Sequence, residues 1–106
     1  MKFNNPYWST ETKIDMLERW VLVHSYIYYE MDMPIIPDYQ FDQNAHQLAK
    51  ALRKYPEAAQ RSRYAYCFKD FDGSTGHHLY SLLTKEDKEH ISEIASTILN
   101  MMKRHY

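Results

Sequence analysis

Pro34 and Pro37 bracket a short connector, Met33-Pro34-Ile35-Ile36-Pro37, between two stretches of helical apolar spacing. Each proline fixes its own φ, removes an N–H donor and pushes the preceding residue out of the α region. The chain must leave one helix, run extended and start another, which makes an αα-hairpin. Upstream, Ser9 or Thr10 suits an N-cap and Glu11 a first turn. Ile14, Leu17, Val21, His24, Tyr28 and Met31 then fall three or four apart, with Trp20 and Ile27 widening the stripe. That spacing predicts a helix ended by Pro34. Downstream, Asp38 suits an N-cap, and Phe41, Ala45, Leu48, Leu52 and Tyr55 form a second seam that either ends at Pro56 or gains one more turn through Glu57-Ala58-Ala59-Gln60.

The rest of the chain is punctuated less clearly. Asn4, Asn5 and Pro6 make residues 1–8 an irregular arm. Tyr64, Tyr66 and Phe68 alternate with Ala65, Cys67 and Lys69, a short strand pattern with no partner strand. Asp72-Gly73-Ser74-Thr75-Gly76 reads as a turn, and His77 to Leu83 as a short helix. Thr84 with Asp87 makes a capping box, and Ile91, Ile94, Ala95, Ile98, Leu99 and Met102 give the last helix an apolar face. That face is either core or a seam for a homo-oligomer. The expected fold is mostly α and a single domain over 1–106: a hairpin at 9–58, an aromatic loop segment at 59–83 and a C-terminal helix at 84–106.

Composition removes whole classes of protein. The 106 residues suffice for one core. With 44% hydrophobic and 25% charged residues the chain is globular. Two glycines are too few for the turns of a β-sandwich or a doubly wound nucleotide fold. A net charge of −1 gives no electrostatic reason to bind nucleic acid or a membrane surface. A single cysteine excludes an internal disulfide, and no N-terminal apolar segment resembles a signal peptide, so a cytoplasmic protein is expected. The longest apolar-rich run, Trp20 to Tyr29, is too short to span a bilayer.

The hairpin also carries a resemblance. His24, Tyr26, Tyr28, Asp32, Pro34, Ile36, Asp38 and Asp42 stand at the offsets seen in the N-terminal helical subdomain of bacterial NAD-dependent DNA ligases, and Tyr55-Pro56-Glu57 resembles that subdomain's ending. The similarity covers roughly residues 14–58. In those ligases the subdomain binds the nicotinamide mononucleotide half of NAD. Carried over position by position, the resemblance implies that Tyr28, Tyr29, Asp38, Phe41 and Asp42 face a nucleotide-type ligand. Aromatic faces stack on a heterocycle, carboxylates accept from ribose hydroxyls or a carboxamide, and a pyridinium is attracted to both. Two positions depart from the family run: Tyr29 replaces a histidine and Phe41 a tyrosine, which removes or moves a polar contact.

The remainder of a ligase is not visible. Adenylation uses a lysine in a Lys-x-Asp-Gly setting, whereas here Lys69 stands one residue further from Asp72-Gly73. The resemblance thus implies a stand-alone, phage-encoded, non-catalytic relative that needs no cofactor and sequesters a nucleotide, such as an NAD-derived or immune signalling nucleotide. The rival is a protein-interaction module that keeps the hairpin only as scaffold, with Tyr28 and Asp38 satisfied internally.

Other motifs have competing readings. Lys50, Arg53, Lys54, Arg61, Arg63 and Lys69 gather after the acidic stretch Glu30, Asp32, Asp38 and Asp42. Arg61 and Arg63 serve either as a phosphate clamp or as cations favoured near a helix C-terminus. Asp70-Phe71-Asp72-Gly73-Ser74 resembles the loop of haloacid-dehalogenase-type phosphatases, but Lys69 stands where that motif has a buried apolar strand. His77-His78 has no companion at metal-ligand spacing, so no metal site is expected. Cys67, among apolar neighbours, is expected to be inert.

Overall fold

The first helix begins where the cap chemistry places it. In the computed structural model, which describes residues 7–33, 35–74 and 78–103, the Ser9 hydroxyl accepts from the Thr12 N–H at 3.1 Å and opens α1 (Thr10–Ser25). Ile14, Leu17, Val21 and Leu22 form its buried face. Pro34 lies outside the described residues, and helical geometry has ended before it. The ladder widens at Tyr26–Glu30 into a π turn, with the Met31 N–H donating to the Tyr26 carbonyl at 3.1 Å. Asp32 then takes a left-handed φ of 52°. The π turn holds one residue more than an α turn. The apolar phase therefore slips: Ile27 is the buried member, while Tyr28, predicted on the stripe, is exposed.

The second helix, α2 (Asp38–Lys54), has Pro37 rather than Asp38 at its N-cap. Asp38 is its first residue, where a carboxylate suits the helix dipole. Ala45, Leu48 and Ala49 bury its face against α1. α2 ends before Pro56, and Pro56 opens the further turn as a separate short helix, α3 (Pro56–Arg61), proline being favoured at a first helical position.

The alternating pattern at 64–68 does not become a strand. Ala65–Cys67 is a single 3-10 turn, with Tyr64, Cys67 and Phe68 buried at offsets of three and four rather than two. Without a partner strand, the backbone meets its hydrogen-bond needs locally: the Cys67 N–H donates to the Tyr64 carbonyl at 2.9 Å. A single-turn helix, α4 (Leu79–Leu82), and a long one, α5 (Lys85–Lys103), complete the fold. The Thr84 hydroxyl accepts from the Asp87 N–H at 3.2 Å, as the capping box predicts. Thr75, Gly76 and His77 lie outside the described residues.

The protein is mostly α, and among the described residues there is no strand. α1 is the hub, packed by α2, α3, α4 and α5. Ile91 and Ala95 of α5 are fully buried within this one chain and Leu99 nearly so, so much of the apolar stripe is core, whereas Met101 is exposed. No helix among the described residues is long and apolar enough to cross a membrane.

Candidate functional site

The proline connector and the π turn together shape a hollow of about 180 Å³ at the turn of the hairpin. Its apolar wall is Ile27, Met33, Ile35 and Ile36, and its aromatic wall is Tyr28, Tyr29 and Phe41. Asp38 and Asp42 face it from the first turns of α2, with His24 at one side and Ser74 at another. Five of the seven residues expected at a ligand, Tyr28, Tyr29, Asp38, Phe41 and Asp42, therefore meet around one space. The helix positions of the two acids explain part of this, since residues four apart share a face. The π turn explains the rest, because it rotates Tyr28 and Tyr29 out of the core.

Each ring has a defined support. Tyr28 and Tyr29 meet edge to face with centroids 4.8 Å apart. Trp20 backs Phe41 at 5.9 Å and 30°, and it also touches the His24 ring at 4.4 Å. Rings held this way lose little freedom on meeting a planar ligand. His24 is half-buried, and burial pushes its pKa down to about 4, so the imidazole is neutral. Its Nδ1 is buried and lacks a hydrogen-bond partner among the described residues, as does Ser25 Oγ.

The electrostatics of the hollow are one-sided. Among the described residues, no lysine or arginine lines it. The exposed Asp38 and Asp42 carboxylates make no hydrogen bond or ion pair with described residues; the Asp42 main-chain oxygen lies 2.7 Å from His46 Nδ1. Two unpaired carboxylates beside aromatic faces suit a cationic or donor-rich ring.

Arg61 and Arg63 lie elsewhere. Arg61 Nε donates to Glu11 at 2.9 Å, beside a wider groove between the start of α1 and the α2–α3 junction. Arg63 pairs through both terminal nitrogens with Asp87, which is buried at the start of α5. Tyr66 donates to the same Asp87 at 2.5 Å and accepts from the Thr84 N–H at 3.2 Å. The charged and phenolic groups of the 61–66 segment thus tie it to α1 and α5.

Several contributors were not among the expected site residues. His24 opens the motif run, so its place in that run was a usable signal. Met33, Ile35 and Ile36 read only as connector. Ser74 reads only as turn, and its place at the hollow comes from long-range packing. The phosphatase-like loop has no strand before it: Phe71 is buried, and Asp72 accepts from the Ser74 N–H at 2.9 Å and the Ser74 hydroxyl at 2.5 Å. Those contacts hold the Asp72 carboxyl below its ordinary pKa. Lys69 lines a different groove, with Glu18 and Phe68. Cys67 is buried, which pushes its thiol up to about 11.

Residues 8–62 match the family model of the DNA ligase-like, N-terminal NAD+-binding domain. The chain belongs to that family. Matched relatives include DNA ligases from three Coxiella burnetii strains: Dugway 5J108-111, RSA 493 / Nine Mile phase I and CbuG_Q212. Each is 38% identical over 47 residues, which is 44% of this chain and 7% of the relative. The matched segment of this chain therefore corresponds to a small part of those ligases. No solved structure matches the chain significantly. The hollow lies wholly within the family segment except for Ser74. Family membership and the hollow's aromatic, acidic lining both point to a nucleotide as the ligand class.

Proposed function

We propose that this chain is a non-catalytic binding module for the nicotinamide-nucleoside portion of an NAD-type nucleotide. The observation that carries the reading is the gathering of Tyr28, Tyr29, Asp38, Phe41 and Asp42 around one hollow whose two carboxylates are unpaired. A volume of about 180 Å³ is below that of drug-sized pockets, so it suits one ring and its sugar rather than a whole dinucleotide. Tyr28 and Phe41 offer faces to the ring. Asp38 and Asp42 offer acceptors to ribose hydroxyls or the carboxamide and attract a pyridinium charge. The phosphate is left to solvent, since Arg61 and Arg63 are engaged elsewhere.

In this reading the chain holds its nucleotide and accepts no adenylyl group from it. Sequestration of an NAD-derived nucleotide follows as the biological role. The interaction-module rival requires a plugged hollow and an internally satisfied Asp38; the open space and the unpaired carboxylate support binding instead.

Isothermal titration against nicotinamide mononucleotide, NAD+ and a cyclic dinucleotide tests this. The first two are expected to bind, and Asp42→Ala is expected to weaken them about tenfold or more. The purified chain incubated with NAD+ is expected to gain no adenylyl mass. Absence of binding by both nicotinamide nucleotides overturns the reading, and a covalent adenylyl adduct overturns its non-catalytic part.

A further inference from the structure

We propose that the turn Asp72-Gly73-Ser74, which lies beyond the family-matched residues 8–62, is a wall of the same hollow, and that Ser74 Oγ accepts a hydrogen bond from the bound nucleoside. The inference rests on the nucleotide reading above and adds a residue that the family segment does not contain. Every other lining residue falls between His24 and Asp42, so Ser74 is the one described contributor from outside the hairpin.

The turn is seated for this placement. Gly73 has φ +85°, and a Cβ there would come within 3.2 Å of the Ala45 carbonyl oxygen and of His46 Cα. It would also lie 3.3 Å from Ala49 Cβ. One of the chain's two glycines thus lets the turn press onto the small-residue face of α2, one turn beyond Asp42. Asp72 then fixes the orientation of Ser74. Its Oδ1 takes both the Ser74 N–H at 2.9 Å and the Ser74 hydroxyl proton at 2.5 Å. With that proton committed, Ser74 Oγ presents only lone pairs. Together with Asp38 and Asp42 it makes a set of acceptors, which complements ribose hydroxyls or a carboxamide N–H and opposes a phosphate.

Titration of the full chain with nicotinamide mononucleotide tests the assignment. Ser74→Ala is expected to raise Kd about tenfold. Ser74 is exposed, so the change removes no core packing, and an unchanged melting temperature checks this. Asp72→Ala, which releases the hydroxyl, is expected to raise Kd to a similar extent. Asp72→Asn keeps an acceptor oxygen and is expected to restore binding to within about threefold of wild type. If wild type binds and Asp42→Ala weakens it while Ser74→Ala and Asp72→Ala do not, the role of Ser74 is overturned and the nucleotide reading stands. If Asp72→Asn fails to rescue, the positioning role of Asp72 is overturned. If wild type does not bind, both fall.

Discussion

Glu18 is fully buried on α1, with Oε1 accepting from the Tyr64 N–H at 3.2 Å and Oε2 lying 2.7 Å from the Ser62 hydroxyl. Ser62 Oγ is also 2.7 Å from the Ala59 carbonyl oxygen, and one hydroxyl proton cannot serve both. A protonated Glu18 resolves the conflict: it donates to Ser62, and Ser62 donates to Ala59. Burial, aided by the nearby Asp15 charge, raises the Glu18 pKa to about 7, in keeping with that arrangement. The folded state then holds a proton that the unfolded state releases at lower pH. This contribution is full below about pH 4.5 and is lost as pH rises to about 7, at a cost of about 3 kcal/mol. Glu18→Gln mimics the protonated acid and is expected to match wild type in acid and exceed it by about 2–3 kcal/mol at pH 8. His24 has the opposite sign. Its depressed pKa gives stability that is present above about pH 6.5 and lost as pH falls toward about 4. The two slopes oppose each other between about pH 4.5 and 6.5. Urea midpoints across pH are expected to fall in acid for Glu18→Gln and to fall as pH rises from about 4.5 to about 7 for His24→Phe.

Among the elements, the helices and most of their caps are legible because their causes are local. Ser9, Thr84 and the three-and-four spacing of α1, α2 and α5 act within a few residues. The segment 61–68 is not legible, because its partners are distant in sequence. Arg61 finds Glu11, Arg63 and Tyr66 find Asp87, and the Tyr64 N–H finds Glu18. Alternating tyrosines read as a strand, although Tyr64, Cys67 and Phe68 also fit helical offsets. The π turn left no sequence signal, and it decides that Tyr28 faces outward. These contacts rank the arginines. Arg61→Ala breaks an exposed pair and is expected to cost at most about 1 kcal/mol. Arg63→Ala leaves the buried Asp87 short of a cation and is expected to cost more, about 1–3 kcal/mol in chemical denaturation. Neither is expected to change nucleotide affinity. Gly73→Ala forces a left-handed φ and a crowded Cβ against α2, and is expected to lower stability by about 1–2 kcal/mol.

At the scale of the whole molecule, the chain divides its charges by task. Acids at the turn of the hairpin are left unpaired, while Glu11, Asp15, Glu18 and Asp87 hold Arg61 and the segment that follows it in place. Five of the seven expected site residues were legible through the motif run, because that run follows the hairpin's own geometry. The arginines were not, because net charge along a sequence says nothing of which face it reaches. The fold thus sets an acidic, aromatic hollow apart from the cations that could have drawn a phosphate into it. Nuclear magnetic resonance of isotope-labelled protein titrated with nicotinamide mononucleotide probes that division most directly. Shifts are expected to concentrate at His24, Tyr28, Asp38, Phe41, Asp42 and Ser74, with Arg61 and Arg63 unmoved. Shifts centred on the groove beside Arg61, or none at saturating ligand, contradict it.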